Sequence, residues 1–205
     1  LKNRIEFMLT MLAIMRLGAI FVPINTELKG AFLQHQMRNA EPRVIFLDAV
    51  LGDAFDAVKG GNDNLGAVIY VAGDVPDERP VVLAGARAMT FAAFFALAAA
   101  EDDVLVTPKA EDIACIMYTS GTTGPSKGVL MPHAHCYLFG HGMARVMQIT
   151  EQDCQYVCMP LFHAMGLLLQ AISSLISGSK VYCIERFSPN TWLDDVRACG
   201  ATVSN

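Results

Sequence analysis

Apolar residues recur at helical spacing from Asn3 to Leu17, and Gly18 follows where a left-handed residue commonly ends a helix, so the pattern predicts a helix there. Ala19 to Val22 reads as a short strand stopped by Pro23, and Gly30 to Asn39 as a second helix. Strand-length apolar runs follow at Arg43 to Leu47 and, past an irregular stretch around Gly60 to Asn64, at Ala67 to Val71. Gly73 to Pro80, with a Gly-Asp pair and two prolines, reads as an exposed loop. Thr90 is placed to cap a helix from Phe91 to Ala100, whose Phe91, Phe94, Phe95 and Leu97 form an apolar face best read as core packing. Farther on come a strand at Ile113 to Tyr118, a helix at His133 to Gln148, a strand at Cys154 to Met159 and an apolar helix at Ala164 to Ile176. Lys180 to Ile184 is the next strand; Ser188-Pro189 caps a helix that runs to Cys199 and stops at Gly200, and Ala201 to Ser204 starts another strand. The alternation predicts an α/β fold, a layered βαβ sheet domain.

Between the strand ending at Tyr118 and the helix opening at His133 lies Thr119-Ser120-Gly121-Thr122-Thr123-Gly124-Pro125-Ser126-Lys127-Gly128. The pattern makes it a strand-to-helix connection, and its composition points to phosphate. Gly121, Gly124 and Gly128 let backbone N–H groups approach a ligand, Thr119, Ser120, Thr122 and Thr123 add hydroxyl donors, and Lys127 supplies a full positive charge. No acid interrupts the set. The P-loop NTPase pattern fails, because Ser126 occupies its second glycine position and Gly128 its serine or threonine position.

The chain of 205 residues is 53% hydrophobic and 17% charged, which excludes disorder and suits one large domain or most of one. A net charge of −5 without a basic block argues against a nucleic-acid partner, yet allows ATP, since a phosphate site depends on local donors. The uncharged run Ala88 to Ala100 is too short for a membrane span, and with no signal-peptide pattern the expected location is cytoplasmic. Six cysteines match no disulfide scaffold and read as small buried hydrophobes. Cys154, Cys158 and His163 fit no zinc spacing, so no metal ligands are assigned. Glu101 to Asp103 and Glu111-Asp112 read as solvated charges, and His133, His135 and His141 carry no assigned chemistry. His163, at the junction of a strand and a helix, stands where ligands bind in α/β proteins, although a packed core histidine explains it as well.

Tyr118 to Val129 with His133 after it resembles the signature loop of the adenylate-forming superfamily, which includes acyl-CoA synthetases, adenylation domains and luciferases. Many members carry proline at the position of Ser126, a difference of loop stiffness more than chemistry. Pro160-Leu161-Phe162-His163 with Gly166 resembles the superfamily's next motif, whose histidine lies beside the acyl substrate, so the resemblance gives His163 a place at the catalytic centre.

The resemblance runs from the opening helix to Asn205 and implies part of the large N-terminal domain of an acyl-CoA synthetase, residues 1–205, without the small C-terminal lid domain. It implies Thr119, Ser120, Gly121, Thr122, Thr123, Gly124 and Lys127 as ATP-binding residues. The implied reaction belongs to acid activation such as that of fatty acid metabolism. ATP with Mg2+ converts a carboxylic acid to an acyl-adenylate, and coenzyme A takes the acyl group. A non-catalytic nucleotide-binding relative and a module loading a carrier protein are the alternatives. The chain starts without methionine and ends inside an apparent element, lacking the downstream adenine, ribose and catalytic-lysine motifs, so the expectation is a fragment inactive by itself. Oligomeric state and the acid itself have no sequence signature.

Overall fold

In the computed structural model of the chain, residues 1–58, 60, 62–71, 86–97, 106–119 and 124–204 are described. The expected loop Gly73 to Pro80, the helix end at Ala98 to Ala100, the acidic run Glu101 to Asp103 and Asn205 lie outside them. The chain divides into two compact units, one holding Ile24–Leu105 and Tyr118–Gly128, the other Lys2–Pro23, Val106–Met117 and Val129–Asn205.

In the first unit α2 (Gly30–Ala40) precedes β1 (Val44–Asp48); a single 3-10 turn (Ala49–Leu51) and α3 (Gly52–Asp56) lead to β2 (Ala67–Val71), β3 (Arg87–Thr90) and α4 (Phe91–Leu97). The strands form one parallel sheet in the order β1-β2-β3, with Val44 opposite Ala67 and Ala67 opposite Arg87. β2, paired on both sides, buries four of its five residues, as a central parallel strand must when both faces are covered. Leu33 and Met37 of α2 pack with Leu47, Phe55, Val58, Leu65, Val68 and Tyr70 to make the core.

β3 is absent from the sequence expectation. With four residues and only Ala88 and Met89 apolar, it has no pattern to read, and backbone pairing with β2 forms it. Thr90 caps α4 as expected, its hydroxyl accepting from the Ala93 N–H at 3.1 Å. The apolar face of α4 differs from the expectation of core packing. Phe91 and Phe94 meet Phe46 edge-on, but no residue of α4 is buried, and Leu97 is 72% exposed.

The second unit contains α1 (Ile5–Arg16), β4 (Ile113–Tyr118, its last residue in the first unit), β5 (Gly128–Pro132, its first residue likewise) and α5 (His133–Val146). It continues through β6 (Cys154–Val157), a π-helix (Met165–Ile172), α6 (Ser173–Ser177), β7 (Lys180–Cys183) and α7 (Trp192–Cys199). β4 and β5 form a two-stranded sheet, and β6 and β7 a parallel one. The expected strand at Ala19 to Val22 is reduced to one parallel bridge, Phe21 with Cys115, and that at Ala201 to Ser204 to the bridge of Val203 with Gln155. Phe7 meets Phe21 edge-on at 5.4 Å, and Cys115 and Cys136 are buried with their sulfur atoms 3.7 Å apart. α7 starts at Trp192, not at Ser188-Pro189, because Ser188 accepts from the N–H groups of Thr191 and Trp192 and spends those residues on a turn.

α5 and the π-helix pack closely: a Cβ on Gly140 would stand 2.6 Å from Ile172 Cγ2. Gln155, Gln170, Ser173 and Ser174 are fully buried here, and the Ser174 hydroxyl donates to Gln155 Oε1 at 2.9 Å. Buried polar groups of this kind are stable only when paired. Among the described residues no helix is long and apolar enough to cross a membrane.

Candidate functional site

The segment expected to bind phosphate connects two strands, which corrects the strand-to-helix expectation. β5 intervenes before α5, and Gly128 belongs to it, so Gly128 opens a strand and is not a loop glycine. The Asp112 carbonyl accepts from the His133 N–H at 3.0 Å at one end of the pair, and the Lys127 carbonyl accepts from the Thr119 N–H at 3.0 Å at the other. These two bonds make β4 and β5 a hairpin. Five residues of β5 followed at once by a helix leave no turn between two apolar patterns, so periodicity merges them.

Of the sequence-derived ligand set, Thr119, Gly124 and Lys127 are described; Ser120, Gly121, Thr122 and Thr123 lie outside the described residues. Gly124 has φ +157°, and no described residue lies within 4 Å of its Cβ position, which leaves the backbone open to an approaching ligand on that side. Lys127 is exposed and makes no salt bridge to a described residue. Thr119 and Lys127 are brought together at the base of the hairpin. An exposed ammonium with no ion pair among the described residues, an open glycine and the absence of any acid between Tyr118 and Gly128 suit a polyphosphate.

Ser126, read from sequence only as a change in stiffness, is held from α2. His35 Nε2–H donates to its carbonyl oxygen at 2.9 Å and Gln36 Nε2 donates to its hydroxyl at 3.0 Å. The Tyr118 hydroxyl donates to Asn39 Oδ1 at 2.7 Å, and burial pushes this phenol above its ordinary pKa. Sequence reasoning missed all three α2 residues. A polar His-Gln pair interrupting the apolar side of an amphipathic helix was the available signal.

In the second unit His163 is exposed, which removes the core-histidine explanation. Its ring Nδ1 accepts from the Met165 N–H at 3.2 Å, so the proton of the neutral ring sits on Nε2 and faces away from the backbone. The turn before it is clamped from both sides by buried Asn3, whose Nδ2 donates to the Met159 carbonyl at 3.0 Å and whose Oδ1 accepts from the Leu161 N–H at 2.7 Å. Gln170 Oε1 accepts from the Met159 N–H at 3.3 Å. Gly166 is required by close approach: a Cβ there would collide with the Pro160 carbonyl and stand 2.6 Å from the Met159 oxygen. The helix behind His163, expected as an apolar helix over Ala164 to Ile176, is π over Met165–Ile172, a wide form that is frequent at functional sites. Among the described residues no three His, Cys, Asp or Glu side chains group as metal ligands.

The profile of the AMP-binding enzyme family matches residues 1–205. The 2-succinylbenzoate--CoA ligase of Geobacillus kaustophilus is 30% identical over 94% of this chain and 34% of its own length. The 4-coumarate--CoA ligase-like 3 of Arabidopsis thaliana is 28% identical over 98% of this chain and 35% of its own. Among solved structures, ATP-bound MatB from Rhodopseudomonas palustris superposes with a TM-score of 0.79 at 25% identity, covering 99% of this chain and 37% of that one. The chain thus spans little more than a third of the length of the proteins it matches.

Proposed function

Because the chain belongs to the family of AMP-binding enzymes, we propose that the whole protein activates a carboxylic acid with ATP and passes the acyl group to coenzyme A. The observation that carries this reading is Lys127, exposed and without an ion pair among the described residues, three residues from the open backbone of Gly124 and in a segment that contains no acid. CoA ligases among the relatives, and a solved relative with ATP bound, support the same chemistry.

In the first half-reaction a carboxylate oxygen attacks the α-phosphorus of ATP. The bond to the β-phosphate oxygen breaks, and pyrophosphate leaves with the electron pair. Thr119, Ser120, Gly121, Thr122, Thr123, Gly124 and Lys127 hold the β- and γ-phosphates in line, and Lys127 meets the charge that grows on the leaving group. Mg2+ bound to the nucleotide would add positive charge at the phosphates, and no residue of this chain is assigned to hold it. In the second half-reaction the coenzyme A sulfur attacks the acyl carbon, AMP departs, and the thiol proton is lost. His163 borders the acyl group and offers Nε2–H to it. No side chain of this chain acts as a covalent nucleophile.

The test is to incubate the whole protein with Mg-ATP, coenzyme A and a panel of carboxylic acids, and to search for the acyl-CoA by mass spectrometry. A thioester from at least one acid is expected. An adenylate that ignores coenzyme A but loads a pantetheinylated carrier protein would move the acceptor to a carrier, and neither product from any acid would contradict the proposal.

A further inference from the structure

We propose that α2 positions the phosphate loop, with Gln36 and His35 gripping Ser126 and thereby fixing the direction in which Lys127 leaves the backbone. The inference rests on the phosphate role given to the loop above. Successive residues of a helix point about 100° apart, so the two side chains reach Ser126 from two directions: His35 takes its carbonyl at 2.9 Å and Gln36 its hydroxyl at 3.0 Å. That carbonyl belongs to the peptide group that carries the Lys127 nitrogen. Holding it sets the peptide plane from which the lysine side chain departs. The same helix holds the other leg, through Tyr118 to Asn39 at 2.7 Å, and the Thr119 to Lys127 bond at 3.0 Å ties the legs together. Both legs of the hairpin are therefore referred to one rigid element, while the ammonium itself stays exposed.

Gln36 is a poor core residue, and this separates positioning from packing. It is 5% exposed, it lies between the buried Leu33 and Met37 turns, and its Oε1 is buried with no hydrogen-bond partner among the described residues. An unmet buried acceptor costs stability, so a leucine of similar size would suit the core better. The amide is explained by the bond it makes to the loop. His35 and Gln36 touch no substrate in this reading and act through Ser126 and Lys127.

The experiment is a double-mutant cycle in the whole protein with Gln36→Leu, Ser126→Ala and the pair, read by hydrogen exchange of the amides in residues 124–128, by ATP affinity from calorimetry and by melting temperature. Each single variant is expected to speed exchange in this segment and weaken ATP by about fivefold, the loss of one neutral hydrogen bond. The pair is expected to be no worse than either single variant, because both remove the same bond. Gln36→Leu is expected to keep or raise the melting temperature. Unchanged exchange in the single variants, fully additive effects, or a lowered melting temperature with unmoved loop exchange would overturn the proposal. If the unsubstituted protein binds no ATP, the phosphate reading falls, and exchange still decides whether α2 holds the loop. If Gln36→Leu does not fold, Ser126→Ala alone decides, since Ser126 is a half-buried loop residue.

Discussion

At Lys127 the proposed chemistry depends on one charge meeting another as it forms. A contact made only in the transition state lowers the maximal rate, whereas one made equally in the ground state raises the Michaelis constant. Lys127→Ala in the whole protein should slow adenylation by about ten- to hundredfold, the worth of a charge-assisted hydrogen bond, with a smaller change in the ATP Michaelis constant. The thioester half-reaction, started from preformed acyl-adenylate, releases no pyrophosphate and should be nearly unaffected; an equal loss in both halves would remove Lys127 from this role. His163 separates acid from nucleotide in the same way. His163→Ala should raise the Michaelis constant for the acid by about tenfold while ATP binding stays within about twofold, on the footing that one lost polar contact costs roughly 1.4 kcal/mol. A lowered melting temperature with unchanged acid kinetics would contradict that, and would conflict with the exposure of the ring.

Gly166 connects the residue scale to its element. Its side-chain space is filled by the Pro160 and Met159 carbonyls, which are backbone atoms and cannot swing aside as a flexible side chain does. Gly166→Ala should therefore cost about 1 to 3 kcal/mol and lower the midpoint of chemical denaturation; an unchanged midpoint would mean that the turn before His163 adapts. The same stretch shows what a sequence discloses. Pro160, His163 and Gly166 stand out in an apolar run, but the residues alone left His163 open between a ligand position and a core histidine, and the resemblance to the superfamily's motif gave it the place beside the acyl group. The π form of Met165–Ile172 was not legible, since side-chain periodicity over eight residues distinguishes 3.6 from wider turns poorly. β2 was legible to the residue because a central parallel strand is apolar throughout, while β3 and β5 depend on backbone pairing and on neighbours, which composition does not record. The anchoring of Ser126 was equally hidden, because His35 and Gln36 lie some 90 positions away and only folding brings them to the loop.

At the scale of the molecule, the expected α/β fold is present, with three small sheets among the described residues in place of one drawn from sequence, and the family match runs over residues 1–205. The matched relatives are nearly three times as long, so the proposed activity belongs to the whole protein. Its central claim is that the bond broken in ATP lies between the α- and β-phosphates and breaks only when an acid is present. Acid-dependent exchange of labelled pyrophosphate into ATP, measured on the whole protein without coenzyme A, tests this most directly. Exchange is expected to need a carboxylic acid and to fall by about ten- to hundredfold in Lys127→Ala; acid-independent release of ADP and phosphate, with no pyrophosphate exchange, would rule out cleavage between the α- and β-phosphates.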